Sequence, residues 1–213
     1  MRINGFVGGV LCLVFVISAA AGFGQEEDSL TLPGEIHLNE RQPPDTVLKT
    51  IGIKPGMIIG EVGAGRGRYT VQIASRIGPS GMIYANDIDE QALQFLKRRC
   101  ENHGFANVKT ILGSVTDTNF PDTALDMVIM VNVVHCLEKP VELLKNIDSA
   151  LKPEGFIAIV EGNLDKYTSG SVGWYARDKL LKIYDDAGYD LFREETFLPK
   201  DNIYFLKKGS LQE

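Results

Sequence analysis

Residues 57–77 constrain what this chain can fold into more than any other stretch. Met57-Ile58-Ile59 is a short apolar run of the kind buried inside a sheet, and it leads directly into a loop with glycines at 63, 65 and 67. Ile73, Ala74 and Ile77 then recur at helical spacing, and Gly78-Pro79-Ser80-Gly81 stops the helix. A strand, a glycine loop and a helix in that order bring bare backbone and helix-terminal N–H groups to one point, where a nucleotide-like ligand can approach.

The rest of the chain repeats the alternation. Met82–Asn86, Asn107–Leu112, Leu125–Val131 and Phe156–Val160 read as further strands, and Leu125–Val131 is apolar enough to be buried on both faces. Between them, Ala92, Leu93, Leu96 and Cys100 mark a helix that Asp89 can cap. Pro140 opens another helix, which carries Leu143, Leu144, Ile147 and Leu151. Leu180, Leu181, Ile183, Tyr184 and Ala187 mark one more. Two last strands, about 189–198 and 202–207, flank the turn Pro199-Lys200-Asp201. The expected fold is therefore α/β: a Rossmann-like, doubly wound, mostly parallel seven-stranded sheet with a C-terminal antiparallel hairpin. A chain of 213 residues with 44% hydrophobic content suits one such domain plus an appendage.

Spacing and charge narrow the class of ligand. The dinucleotide fingerprint G-x-G-x-x-G would need a glycine where Arg68 stands, and Glu61 at the strand end would crowd a pyrophosphate. A nicotinamide oxidoreductase is disfavoured on both counts. Glu61-Val62-Gly63-Ala64-Gly65-Arg66-Gly67 instead resembles the E/D-x-G-x-G-x-G loop of class I S-adenosylmethionine-dependent methyltransferases of the small-molecule type. The resemblance covers about residues 47–207 and includes Ala150-Leu151-Lys152-Pro153-Glu154-Gly155. It implies S-adenosyl-L-methionine as cofactor, with Glu61, Gly63, Ala64, Gly65 and Gly67 around its methionine part. Asp87, 20 positions beyond Gly67, would take the ribose hydroxyls, and Ile88 would lie against the adenine. Ser114 stands where the family often has an acidic residue for the adenine amine, and Val115 beside it is counted with the cofactor site. Serine binds more weakly there, and Asp117 is the alternative carboxylate.

Asn132 and His135 follow the fourth strand, beside the expected cofactor sulfur. His135 is the candidate catalytic residue, able to accept a proton from a hydroxyl or amine, or else a structural histidine tied to its loop. Glu161 ends the fifth strand at the same mouth and could position substrate. Trp174 and Tyr175 follow residues 168–173, a stretch of small residues that could act as a lid, and Arg41-Gln42-Pro43-Pro44 could cover the cofactor. Cys100 and Cys136 are expected to be free thiols lining the core, with no zinc or redox spacing and no metal site.

The N-terminus is a separate matter. Arg2 is followed by no charge until Glu26, and the apolar run from Phe6 to Ile17 precedes Ser18-Ala19-Ala20-Ala21. This pattern is that of a secretory signal or an N-terminal membrane anchor. Residues 1–24 are assigned to it, 25–45 to a linker or arm, and 46–208 to the methyltransferase domain. The chain is thus expected to be exported, whether periplasmic, secreted or anchored with the domain outside the cytoplasm. Residues 3–25 provide its means of membrane association. A net charge of −6 without a basic patch disfavours a nucleic-acid partner, and a small-molecule acceptor is expected. The alternative to an enzyme is a non-catalytic module of the same fold that binds S-adenosylmethionine or a nucleoside.

Overall fold

The computed structural model describes residues 30–167 and 173–209. The expected signal or anchor over residues 1–24, and residues 168–172 of the expected lid, lie outside the described residues. Two short helices, α1 (Ile36–Arg41) and α2 (Pro44–Ile51), lead into β1 (Ile58–Val62), α3 (Thr70–Ile77) and β2 (Met82–Asp87). These are followed by α4 (Glu90–Asn102), β3 (Val108–Leu112), β4 (Leu125–Val131), α5 (Pro140–Ile147) and β5 (Leu151–Gly162). α6 (Arg177–Asp186), β6 (Tyr189–Glu195) and β7 (Asp201–Lys208) complete the domain.

The seven strands form one sheet in the order β3-β2-β1-β4-β5-β7-β6. β1 pairs in parallel with both β2 and β4, β5 pairs in parallel with β4, and β7 runs antiparallel to β5 and β6. The expected architecture and closing hairpin are therefore what forms. Met127, Val128, Ile129 and Met130 of β4 have no exposed surface, as a central strand covered on both faces requires. On one face, α2 and α3 bring Val47, Leu48, Ile73 and Ile77 against Ile59 and Ile129. On the other, α5 and α6 bring Leu143, Leu144, Leu180 and Tyr184 against Val128, Met130 and Ile157. α4 adds Leu93, Leu96 and Cys100 against Val71 and Ala85.

Three boundaries depart from expectation, each for a physical reason. α1 lies inside the segment read as a linker; its six residues carry no apolar period, and side-chain bonds to distant elements fix it at both ends. α2 starts at Pro44, ahead of the expected domain boundary at 46, since a first-turn residue needs no N–H for the helix ladder. β5 begins at Leu151, where Leu151 pairs with Leu125 across an irregularity before Phe156 pairs with Met127. The turn between β1 and α3 is the switch point of the sheet. The chain first builds outward through β2 and β3, then returns to place β4 on the other side of β1. Ligands of such sheets bind beyond the carboxyl ends of the strands at that point.

Candidate active site

A pocket of about 330 Å3 opens at this switch point. Of the ten residues expected to hold the cofactor, Gly63, Asp87, Ile88, Ser114, Val115 and Asn132 line it together, although they come from four separate loops. Gly63 has φ of 70°, and a Cβ built there would meet Val133 Cγ2 at 2.4 Å, so the loop backbone lies flush against the β4 loop. Gly67 serves packing instead: a Cβ there would lie 2.3 Å from Leu96 Cδ1 on α4. Ala64 is buried, and its N–H donates to the Asn86 carbonyl (2.9 Å).

Asp87 ties the pocket together. Its Oδ2 accepts from the Gly65 N–H at 2.7 Å and its Oδ1 from the Asp89 N–H at 2.9 Å. The cap of α4 is Asp89, whose Oδ1 accepts from the N–H groups of Gln91 and Ala92. Asp87 is thereby left at the pocket wall rather than committed to the helix. The Ser114 hydroxyl accepts from the Asp117 N–H (3.1 Å), while the Asp117 carboxylate turns to the Asn119 N–H (2.8 Å) and does not line the pocket. Ile88 and Val115 are exposed apolar side chains on the rim, Ile88 by 64%.

Glu61 occupies a different place from the one its motif position implies. It is buried beneath the loop, off the pocket lining, and its Oε2 accepts from the Thr70 hydroxyl at 2.6 Å at the start of α3. Burial pushes its carboxyl up from 4.5 to about 7, against the pull of the Thr70 hydroxyl and the Arg68 guanidinium. A carboxyl raised on folding favours the fold fully below its unfolded value, and that contribution is lost as pH rises through about 7. Glu61→Gln removes the charge and keeps an acceptor for Thr70. Between pH 4.5 and 7 the wild-type protein should lose on the order of 3 kcal/mol of stability that the variant retains. Equal slopes of melting temperature against pH for the two proteins would refute this.

Asn132 closes the pocket on its β4 side with φ of 57°, a left-handed conformation uncommon outside glycine. Its side chain exchanges two hydrogen bonds with Gln42, at 2.9 and 3.1 Å, and Gln42 is fully buried. Gln42 Oε1 also accepts from Arg68 Nη2 (2.8 Å). Arg41 forms a two-pronged ion pair with the buried Asp201, at 2.7 and 2.9 Å, and its guanidinium lies 5.2 Å from the Trp174 ring centroid. The expected cover of residues 41–44 is thus packed beside the loop and Asn132. The sequence placed Gln42 only within that cover and used Arg68 only to exclude a dinucleotide; the bonds of Gln42 to Asn132 and to Arg68 join residues too distant in the chain for spacing to relate.

His135 and Glu161 meet beyond Asn132. His135 Nδ1 lies 2.7 Å from Glu161 Oε1, and the Trp174 ring covers the imidazole with centroids 4.1 Å apart. Neither side chain lines the pocket, although Asn132, Val133 and Cys136 of the loop that carries His135 do. Cys100 is buried and free as expected, but Cys136 is exposed and lines the pocket, not the core. The short turn Val134–Cys136 explains this, because it directs Val134 inward and Cys136 outward.

The sheet order, glycine loop and strand-end carboxylate define the fold of class I S-adenosylmethionine-dependent methyltransferases. The profile of the family described as "Methyltransferase domain" matches residues 53–188, and the chain belongs to that family. A "Demethylmenaquinone methyltransferase" of Geobacillus sp. (strain WCH70) is 29% identical over 125 residues, 59% of this chain and 52% of the relative. A relative of the same description from Geobacillus stearothermophilus is 26% identical over 54% of this chain and 49% of its own. The chain spans about half the length of these curated relatives. Among solved structures, a SAM-dependent methyltransferase from Aquifex aeolicus superposes with a TM-score of 0.75 at 24% identity, covering 83% of this chain and 94% of its own. The geranyl diphosphate C-methyltransferase of Streptomyces coelicolor A3(2) gives a TM-score of 0.66 at 14% identity, covering 82% and 81%.

Proposed function

We propose that this chain is an S-adenosylmethionine-dependent methyltransferase that moves a methyl group to a small-molecule acceptor. The carrying observation is the chemistry of the pocket lining. Asp87 and Glu138 contribute two carboxylates, no lysine, arginine or histidine lines the pocket among the described residues, and Ile88 and Val115 offer apolar surface at the rim. Such a wall opposes phosphates and suits a ligand with positive charge, paired hydroxyls and one flat ring. Bound there, the cofactor supplies a methyl group activated on a sulfonium.

The residues then have separable tasks. Asp87 holds the ribose hydroxyls. Ile88 and Val115 flank the adenine, with Ser114 as its polar neighbour. Gly63 and Gly65 admit the methionine part to the loop backbone, and Asn132 closes the site toward the acceptor. Glu61, Ala64 and Gly67 shape the loop from behind. Positioning supplies most of the acceleration of such a displacement, and this wall is built to position. A small acceptor is supported by similar proteins, a demethylmenaquinone methyltransferase and a geranyl diphosphate C-methyltransferase. The apolar N-terminal run supports export; among the described residues, no helix is long and apolar enough to cross a membrane.

Calorimetric titration of the full chain with S-adenosylmethionine should show 1:1 binding in the micromolar range typical of cofactor sites, with no heat from NAD. Incubation with an acceptor panel should then yield S-adenosylhomocysteine. Absence of cofactor binding would overturn the proposal, and binding without product on every acceptor would leave a cofactor-holding module.

A further inference from the structure

Glu161 has no exposed surface, yet it stands at the open end of the sheet. A buried carboxylate is costly unless its oxygens are occupied, and these are. Oε2 accepts from the Val134 N–H at 2.8 Å, and Oε1 accepts from the Gly162 N–H at 3.3 Å and faces His135 Nδ1 at 2.7 Å. Two backbone donors thus aim one oxygen at the imidazole. With the carboxylate ionised, Nδ1 must carry the proton, and the lone pair is left on Nε2. No described residue bonds Nε2, and 16% of the His135 side chain remains accessible. Nδ1 is thus fixed, and among the described residues Nε2 is available to a ligand.

The surroundings have the same character. The Tyr167 hydroxyl is buried without a partner among the described residues, and its ring stacks on Trp174 at 6.3 Å. Trp174 in turn lies over His135 and is seated on Gly162, where a Cβ would meet its ring at 2.3 Å. The loop that carries His135 also lines the cofactor pocket, through Asn132, Val133 and Cys136.

The geometry points to His135 as the base that takes the acceptor's proton, with Glu161 as its positioning residue, and so to a hydroxyl as the accepting group, because a neutral amine already presents a nucleophilic lone pair whereas a hydroxyl needs its proton withdrawn as it attacks. This rests on the proposed methyltransferase reading. In the step, the acceptor O–H bond breaks and its proton moves to Nε2. The oxygen's electron pair forms the new bond to the methyl carbon, and the pair of the broken carbon–sulfur bond stays on sulfur. The positive charge that leaves sulfur reappears on the imidazolium, beside the Glu161 carboxylate. Acceptors without a proton to lose, such as thioethers and tertiary amines, have no use for this pair.

The test uses the full chain with S-adenosylmethionine bound. Nitrogen NMR of His135 should show the proton on Nδ1 in the wild type and lose that signature in Glu161→Gln. Catechol and phenol serve as hydroxyl probes and dimethyl sulfide as the proton-free probe. His135→Ala should lower kcat on the hydroxyl probes by about 100-fold or more with little change in KM, and added imidazole should restore part of it. Cofactor affinity should stay within about twofold in both variants, since neither side chain lines that pocket. A proton on Nε2 in the wild type overturns the inference whether or not a probe is methylated. So does full activity in His135→Ala, or preferential methylation of dimethyl sulfide. Failure of the wild type to bind S-adenosylmethionine would instead remove the functional reading on which the inference stands.

Discussion

Asp87→Ala is expected to weaken S-adenosylmethionine binding by roughly 100-fold, about 3 kcal/mol, while leaving the melting temperature within a few degrees of wild type. In the proposed complex the carboxylate offers acceptors to two ribose hydroxyls, and charge-assisted bonds of this kind are about twice as strong as neutral ones. Its loss also frees the Gly65 N–H, held at 2.7 Å, and so loosens the loop that shapes the methionine side. Asp87→Asn keeps one acceptor and should fall between the two. Stability should change little because the α4 cap belongs to Asp89. Asp89→Ala supplies the opposite signature: about 1 kcal/mol of lost stability with cofactor affinity nearly intact. Calorimetry and thermal melts on the three variants separate the roles. An Asp87→Ala protein that binds within threefold of wild type would show that the ribose contact lies elsewhere.

The largest effect on stability is expected at Arg99. It lies on α4 with its side chain 4% exposed, and it meets Glu35 with two parallel bonds of 2.7 and 2.8 Å. It also donates to the carbonyls of Arg66 in the glycine loop and of Leu30. One buried guanidinium therefore anchors the N-terminal segment to the loop that shapes the cofactor site. Arg99→Met leaves the Glu35 carboxylate without its counter-charge, and Glu35→Leu does the same to the guanidinium. Each should cost about 3–5 kcal/mol. The double variant should recover most of that loss, because two apolar side chains in place of a buried ion pair remove the desolvation cost along with the attraction. Urea denaturation of the four proteins measures the coupling. Purely additive losses would show that the two residues act apart. Cofactor affinity should fall in Arg99→Met as well, through the freed Arg66 carbonyl.

The N-terminal strap illustrates what the sequence conceals. Glu35 bonds Arg99 across 64 residues and Arg41 bonds Asp201 across 160, so no local pattern relates them. Residues 36–41 lack apolar periodicity because their helix is held from its ends by charged partners rather than by a buried stripe. Glu61 illustrates another limit: a strand-end side chain can point to either face of the sheet, and packing turned this one toward Thr70. Cys136 was misplaced because a short turn has no face that spacing can reveal.

The sequence by itself determined the sheet, the crossovers and the cofactor loop, because each is written in local chemistry: apolar runs, helical spacing, glycines at 63, 65 and 67, and a carboxylate 20 positions on. Backbone sterics and burial act over a few residues, so they can be read there. Only the tertiary structure decided which oxygen faces which nitrogen at Glu161 and His135, and that Gln42, Arg68 and Asn132 share one network. Those contacts join strands and loops that are distant in the chain, and their geometry exists only once the sheet has brought the strand ends together.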